Sequence, residues 1–262
     1  MSKLRIGYFS TTPVQILDGL SNYFEDLQIF NESIESYQLI EDNLLNEKIT
    51  IAICPLNKIP IERREEVVIA ALTKRENPSE VLVLKNEKAV EGKVLKLAKG
   101  ASVSVLTEMQ VAQFKVFRDD LDFKITEKIS PQFETDAAIL PTYQADNFDE
   151  NYLKFSIQPE ELIPMAGQGA FGILCLTSNI KMRKILRSFH QKATAAETNI
   201  ERMIQKSVKT PTVAYCKKDA FNHFHIYAST LRDGQLFHFS HSSGTSFELI
   251  ERVVEELDSK NS

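Results

Sequence analysis

No apolar run in this chain approaches the length of a membrane span, and the start, MSKLRIGYFS, has no hydrophobic stretch ahead of its first strand-like segment that would read as a secretory signal. A cytoplasmic protein without membrane contact is the expectation. Cysteine is sparse: Cys54, Cys175 and Cys216 are odd in number, widely spaced and without a C-x-x-C pair. That excludes a disulfide framework and offers no zinc signature, so three reduced thiols are expected. Positive charge is in deficit as well, with a formal net charge of -5 and no long basic run, which argues against nucleic acid as the main partner. Arginine is scarce beside lysine. The chain also lacks a G-x-G-x-x-G after a strand and a Gly-Lys-Ser/Thr loop, so neither nucleotide signature is present. Internal repeats and low-complexity tracts are missing too.

What is present is a chain of 262 residues, 43% hydrophobic, able to bury a substantial core in two or three small domains. The first part alternates element types. A strand is expected over 4–9, a helix from Thr12-Pro13 to about Phe24, a strand over 34–39, a short helix over 41–47 and a buried strand over 49–56. Further strands fit 67–72 and 81–84, after which KNEKAVEGK reads as a solvated linker. A second α/β unit follows, with strands over 101–106, 123–126 and 137–140 and a helix over 108–117 that Thr107 and Gln110 open as a capping box. In the last part, a helix over 189–205 precedes the strand TPTVAYC and a hairpin turning on Asp233-Gly234. Thr245 and Glu248 then signal a final helix with Phe247, Ile250, Val253, Val254 and Leu257 on one face.

Two local features invite chemistry. The stretch IPMAGQGAFGI at 163–173 places Gly167 and Gly169 where a tight bend after Pro164 needs positive φ, and it leaves Gln168 without a structural reason. His223 and His225 share a strand face, with His238 opposite Ser229 across the hairpin. That spacing is too wide for a shared ion, so no metal is expected.

Four stretches, in order, carry a resemblance over almost the full chain: IAICPLNKIP at 51–60, LTKRENPSE at 72–80, IPMAGQGAFGI at 163–173, and ATAAETNIER with TPTVAY at 193–215. The chain resembles the hydroxymethylbilane synthase, or porphobilinogen deaminase, family. The resemblance implies two type II periplasmic-binding-protein-like α/β domains around a cleft, 1–86 with 166–188 and 87–165, plus a small α+β third domain, 189–262. It also implies an enzyme that joins porphobilinogen units head to tail with release of ammonia, building the tetrapyrrole on a dipyrromethane cofactor tethered to a cysteine of the third domain. The glutamine of the Gly-Gln-Gly faces the cleft in that family.

Several family positions are substituted here. Lys58 stands in the place of the catalytic aspartate and Asn57 in that of a lysine. Met109 and Gln110 occupy the positions of paired arginines, and the arginine-rich segment has no counterpart between Thr126 and Thr135. Val208 stands where the cofactor cysteine belongs, while Cys216, the nearby thiol, reads better as a small buried strand residue than as a displaced attachment point. No cofactor is therefore expected. The cleft-lining candidates are Thr11, Thr12, Asn57 and Lys58 from the first domain, Thr107, Met109 and Gln110 from the second, and the bend Gly167-Gln168-Gly169. A monomer is expected, its partner being a small anionic ligand or another tetrapyrrole-pathway protein. Three readings follow: a homologue impaired in catalysis, a binding or regulatory module, and an active deaminase with displaced groups.

Overall fold

Along the chain, β1 (Leu4–Phe9), α1 (Val14–Ser21), β2 (Leu27–Ile34), α2 (Tyr37–Leu45), β3 (Ile51–Pro55) and β4 (Val67–Leu72) lead into β5 (Glu80–Lys85) and β6 (Ser102–Val105). Next come α3 (Glu108–Lys115), β7 (Asp122–Ile125), β8 (Ala137–Pro141), α4 (Thr142–Ala145), β9 (Tyr152–Ile157), β10 (Phe171–Leu176) and α5 (Ile180–Leu186). The chain closes with α6 (Lys192–Ser207), β11 (Thr212–Lys218), β12 (Phe224–Arg232), β13 (Gln235–Ser243) and α7 (Ser246–Ser259). These elements come from a computed structural model, which describes residues 4–21, 24 and 27–259. Contacts gather them into two units, Met1–Glu76 with Gly167–Asn199 and Asn77–Ala166 with Ile200–Ser262.

The sheet of the first unit runs β2-β1-β3-β10-β4. β1 is parallel to β2 and β3, whereas β10 is antiparallel to β3 and β4. All five residues of β3 are buried, as a strand covered on both faces requires. Its side chains join Ile40 and Leu44 of α2 and Leu174 of β10 in one apolar core. The second unit repeats the order as β7-β6-β8-β5-β9, again with the next-to-edge strand, β5, antiparallel to both neighbours. This shared order is the type II periplasmic-binding-protein arrangement, so the α/β class is that of the expected fold. A third sheet, β11-β12-β13, is antiparallel, and its hairpin turns on Asp233 (φ 49°) and Gly234 (φ 76°), the paired positive values of a type I′ turn. No helix among the described residues is long and apolar enough to cross a membrane.

Some elements differ from the sequence-based expectation. The second strand lies at Leu27–Ile34 rather than 34–39, because Ser36 caps α2: its Oγ accepts the Leu39 N–H at 3.2 Å and turns Tyr37 onward into helix. α1 begins at Val14 and ends at Ser21, short of Phe24, and the Thr12 Oγ1 finds no partner among the described residues, so Thr12 does not cap it. At the last helix the Thr245 hydroxyl donates to Glu248 while the Thr245 N–H donates to Ser243 Oγ. The face of α7 that is buried is Leu249, Val253 and Leu257, whereas Phe247 is 72% exposed.

Asp136 ties β8 to β6. Its Oδ2 accepts the Ser102 N–H and hydroxyl, both at 2.9 Å, and Lys88 lies 3.4 Å from Oδ1. The Ser102 amide, more than the other partners, holds the carboxyl below its ordinary pKa. A depressed folded-state pKa adds stability that is present above the unfolded value and is lost as pH falls through the folded one. Asp136→Asn is therefore expected to cost about 1 kcal/mol at neutral pH, with the gap to wild type closing in acid. Urea midpoints at neutral and acid pH check it, and a gap that is unchanged in acid would count against it.

Candidate functional site

In open α/β sheets ligands gather at the carboxyl ends of the parallel strands. In the first unit β1 and β3 are adjacent and parallel, with Tyr8 opposite Ile53, so Thr11 and Thr12 leave one strand end beside the place where Asn57 and Lys58 leave the other. Three side-chain atoms there are buried with no hydrogen-bond partner among the described residues: Thr11 Oγ1, Thr12 Oγ1 and Asn57 Oδ1. Buried polar atoms normally find partners, and leaving one bare costs about 1–3 kcal/mol. Lys58, at the end of a single 3-10 turn (Leu56–Lys58), is exposed, which removes the desolvation a Schiff-base lysine would need.

The Gly-Gln-Gly bend packs against this same turn. Gly167 (φ 82°) and Gly169 (φ 81°) both lie in the left-handed region, and a Cβ on Gly167 would fall 2.8 Å from Leu56 Cγ. The Leu56 N–H donates to the Ala170 carbonyl at 2.8 Å, so the bend and the turn that carries Asn57 are locked together. Gln168 is only 1% exposed, and its carbonyl accepts Arg75 Nε at 3.0 Å. Arg75 is also 3.8 Å from Glu197, its amide donates to Thr194 Oγ1 at 3.1 Å, and the next amide, Glu76 N–H, reaches the Gly169 carbonyl at 2.8 Å. Sequence reasoning gave Arg75 no role. Its signal was a rare arginine inside the stretch LTKRENPSE.

In the second unit the residues at the expected arginine positions serve the fold. Thr107 Oγ1 accepts the Gln110 N–H at 3.1 Å, and the Gln110 Oε1 accepts the amides of Leu106 at 2.7 Å and Thr107 at 3.2 Å. The capping box is complete and Gln110 is consumed by it. Met109, 6% exposed, packs with Ile163 and Val213 in an apolar cluster that includes Tyr215 and Tyr227.

The thiols are all interior. Cys54, Cys175 and Cys216 are each 0% exposed, and burial pushes the Cys54 thiol up to about 12. Cys216 sits on β11, its N–H donating to Glu201 Oε1 at 2.8 Å, and Val208 is 5% exposed just beyond α6.

A family model described as porphobilinogen deaminase, dipyromethane cofactor binding domain, matches residues 28–184, more than half of the chain. The chain belongs to the porphobilinogen deaminase family. The porphobilinogen deaminase of Chlorobium phaeovibrioides is 28% identical over 220 residues, covering 78% of this chain and 66% of that protein. That of Listeria innocua is 27% identical over 241 residues, covering 83% and 74%. The alignments span 66%, 66% and 63% of the first three relatives, just under two thirds of their length. Among solved structures, an ancestral cationic amino acid solute binding protein matches with a TM-score of 0.47 at 13% identity, over 71% of this chain and 87% of that one.

Family membership corrects one expectation. The matched model is that of a dipyrromethane-binding domain, so a dipyrromethane cofactor is implicated, where none was expected from the sequence. A thioether tether of the kind the resemblance implies does not fit the residues present. Val208 offers no nucleophile, and a thioether needs a reachable thiolate, whereas Cys54, Cys175 and Cys216 are fully buried. Among the described residues of the first unit, the bare hydroxyls of Thr11 and Thr12 and the Asn57 carbonyl, at the strand ends, are polar atoms that a bound group could satisfy; the Tyr37 hydroxyl, on α2, is also buried without a partner.

Proposed function

We propose that this chain is a porphobilinogen deaminase homologue of tetrapyrrole biosynthesis that is impaired in the deamination step. The observation that carries the reading is exposed Lys58 in the position the family gives to its catalytic aspartate. Loss of ammonia leaves a developing azafulvenium cation, which a carboxylate stabilises and an ammonium repels. Two like charges about 4 Å apart at an effective dielectric near 20 repel by about 4 kcal/mol, which is on the order of 1000-fold in rate. The engagement of Met109 in an apolar cluster and of Gln110 in a helix cap supports the same reading, since neither side chain replaces a guanidinium fork for acetate and propionate groups. The test is porphobilinogen consumption and ammonia release by the purified chain beside an active relative. Turnover about 1000-fold lower is expected, and turnover within tenfold would overturn the proposal.

Lys58→Asp alone is not expected to restore turnover, because groups that act as a unit give non-additive losses and the carboxylate works only on a substrate already held in place. Single-mutant turnover approaching that of the active relative would show that the aspartate is the only lesion.

A second reading, a binding module for a small anionic ligand, is favoured by the unpartnered Thr11, Thr12 and Asn57 atoms at the strand ends. Two hydroxyls and an exposed lysine suit a carboxylate, and the Asn57 Oδ1 suits an N–H, a pairing that porphobilinogen carries in one molecule. Calorimetry with porphobilinogen is expected to show binding that Thr12→Val and Asn57→Leu weaken. Equal heats for all three proteins would remove this reading without touching the first.

A further inference from the structure

At the open end of the third sheet, opposite its hairpin turn, three side chains line up. The His225 Nε2 lies 3.0 Å from Asp219 Oδ2 and its Nδ1 lies 2.7 Å from Ser242 Oγ. Asp219 is fixed by its other oxygen, Oδ1, which accepts the amides of Phe221 at 2.8 Å and His223 at 2.9 Å. An acceptor on Nε2 sets the tautomer: the proton sits on Nε2 and points at Asp219, which leaves Nδ1 free to take the Ser242 proton. The order carboxylate, imidazole, hydroxyl is that of an activated serine.

The register explains the closeness and adds a further part. With a two-residue turn, Arg232 and Gln235 form a hydrogen-bonded pair, so in the alternation of an antiparallel ladder His225 and Ser242 form a non-hydrogen-bonded one. Side chains of such pairs lie nearest each other. Their amides point away from the partner strand, and β13 is the edge of its sheet, so the Ser242 N–H faces the open edge. An amide on the nucleophile's own residue is one of the donors an oxyanion needs. Ser242 itself is exposed. Phe221, 82% exposed, precedes β12, and Phe247, 72% exposed, follows β13, so both flank the same end with apolar surface.

We propose that Ser242, His225 and Asp219 form an acyl-transfer site for small activated esters with apolar acyl or aryl groups. Ser242 Oγ bonds to the acyl carbon as its proton passes to His225 Nδ1. The ester C–O bond then breaks, the imidazolium returns that proton to the leaving alcohol, and water repeats the sequence to release the acid. Asp219 acts as a positioning residue for the imidazole.

The full chain is treated with an alkyl fluorophosphonate, which loses fluoride to an activated serine, and assayed for p-nitrophenyl acetate hydrolysis. One adduct per chain, mapped to Ser242, is expected. Ser242→Ala is expected to abolish it, and His225→Gln to slow both labelling and ester cleavage by about 100-fold. Asp219→Asn is expected to lower kcat with KM unchanged, a split that a merely structural role would not give. Since Ser242 is exposed, Ser242→Ala keeps the fold, which an unchanged Tm verifies. No adduct, or one that survives Ser242→Ala, overturns the proposal.

Discussion

Met109→Arg, which places an arginine where the resemblance implies one, is expected to lower stability by about 3–5 kcal/mol. Met109 is 6% exposed in an apolar cluster with Ile163 and Val213, against which Met165, Tyr215, Tyr227, Leu231 and Leu236 pack. A guanidinium placed there loses its water and gains no ion partner from those side chains, and isolated buried charge is the costliest of single-residue changes. Met109→Leu keeps volume and polarity and is expected to cost less than about 1.5 kcal/mol. Gln110→Arg is a milder case: it removes the acceptor for the Leu106 and Thr107 amides, worth roughly 1 kcal/mol. Urea unfolding followed by far-ultraviolet circular dichroism ranks the three. A Met109→Arg midpoint equal to wild type would mean that the side chain reaches solvent, and would reopen the position to ligand contact.

At the positions where the resemblance implies two arginines, this chain has a packing residue, Met109, and a cap, Gln110, both integrated with the fold around them. If the proposed impairment holds, restoring activity by reversion is expected to require repacking of the cluster as well as a change at Lys58.

Legibility in the sequence followed how local the determining physics is. The Thr107–Gln110 box, the Asp233-Gly234 turn and the strand Val67–Leu72 depend on neighbours within a few residues and were readable. The second strand was misplaced because Ser36, followed at the third helical position by Leu39 and not by Glu or Gln, is a weak written signal for a cap that the structure makes in full. Strand β9 went unread: its residues Tyr152–Ile157 alternate poorly in burial, and its placement is set by pairing with the distant β5. Periodicity showed that α7 is amphipathic but not which of two adjacent stripes docks, so Phe247 was expected inside while Leu249 is the buried residue. At the site, the bend was legible from its glycines, but Arg75 was not, because its partners Gln168 and Glu197 are remote in sequence.

Gly167→Ala is expected to destabilise the protein by about 2–4 kcal/mol, from two sources of different size. The first is backbone: at φ 82° a side chain costs roughly 1–2 kcal/mol. The second is steric: the new Cβ would lie 2.8 Å from Leu56 Cγ and 3.2 Å from Leu56 Cβ, and Leu56, at 1% exposure, cannot swing out to solvent without leaving the core. Gly92→Ala separates the two, since Gly92 has φ 73° and nothing within 4 Å of its Cβ direction, so it is expected to show the backbone cost alone. Because Leu56 precedes Asn57 and its N–H holds the Ala170 carbonyl, the strain at Gly167 also shifts the turn that presents Asn57 and Lys58. Ligand heats in the calorimetric assay are therefore expected to fall in Gly167→Ala and to stay at the wild-type value in Gly92→Ala. Equal stability losses in the two variants would show that the contact with Leu56 relaxes freely. The Gly-Gln-Gly would then be needed for its backbone angles alone.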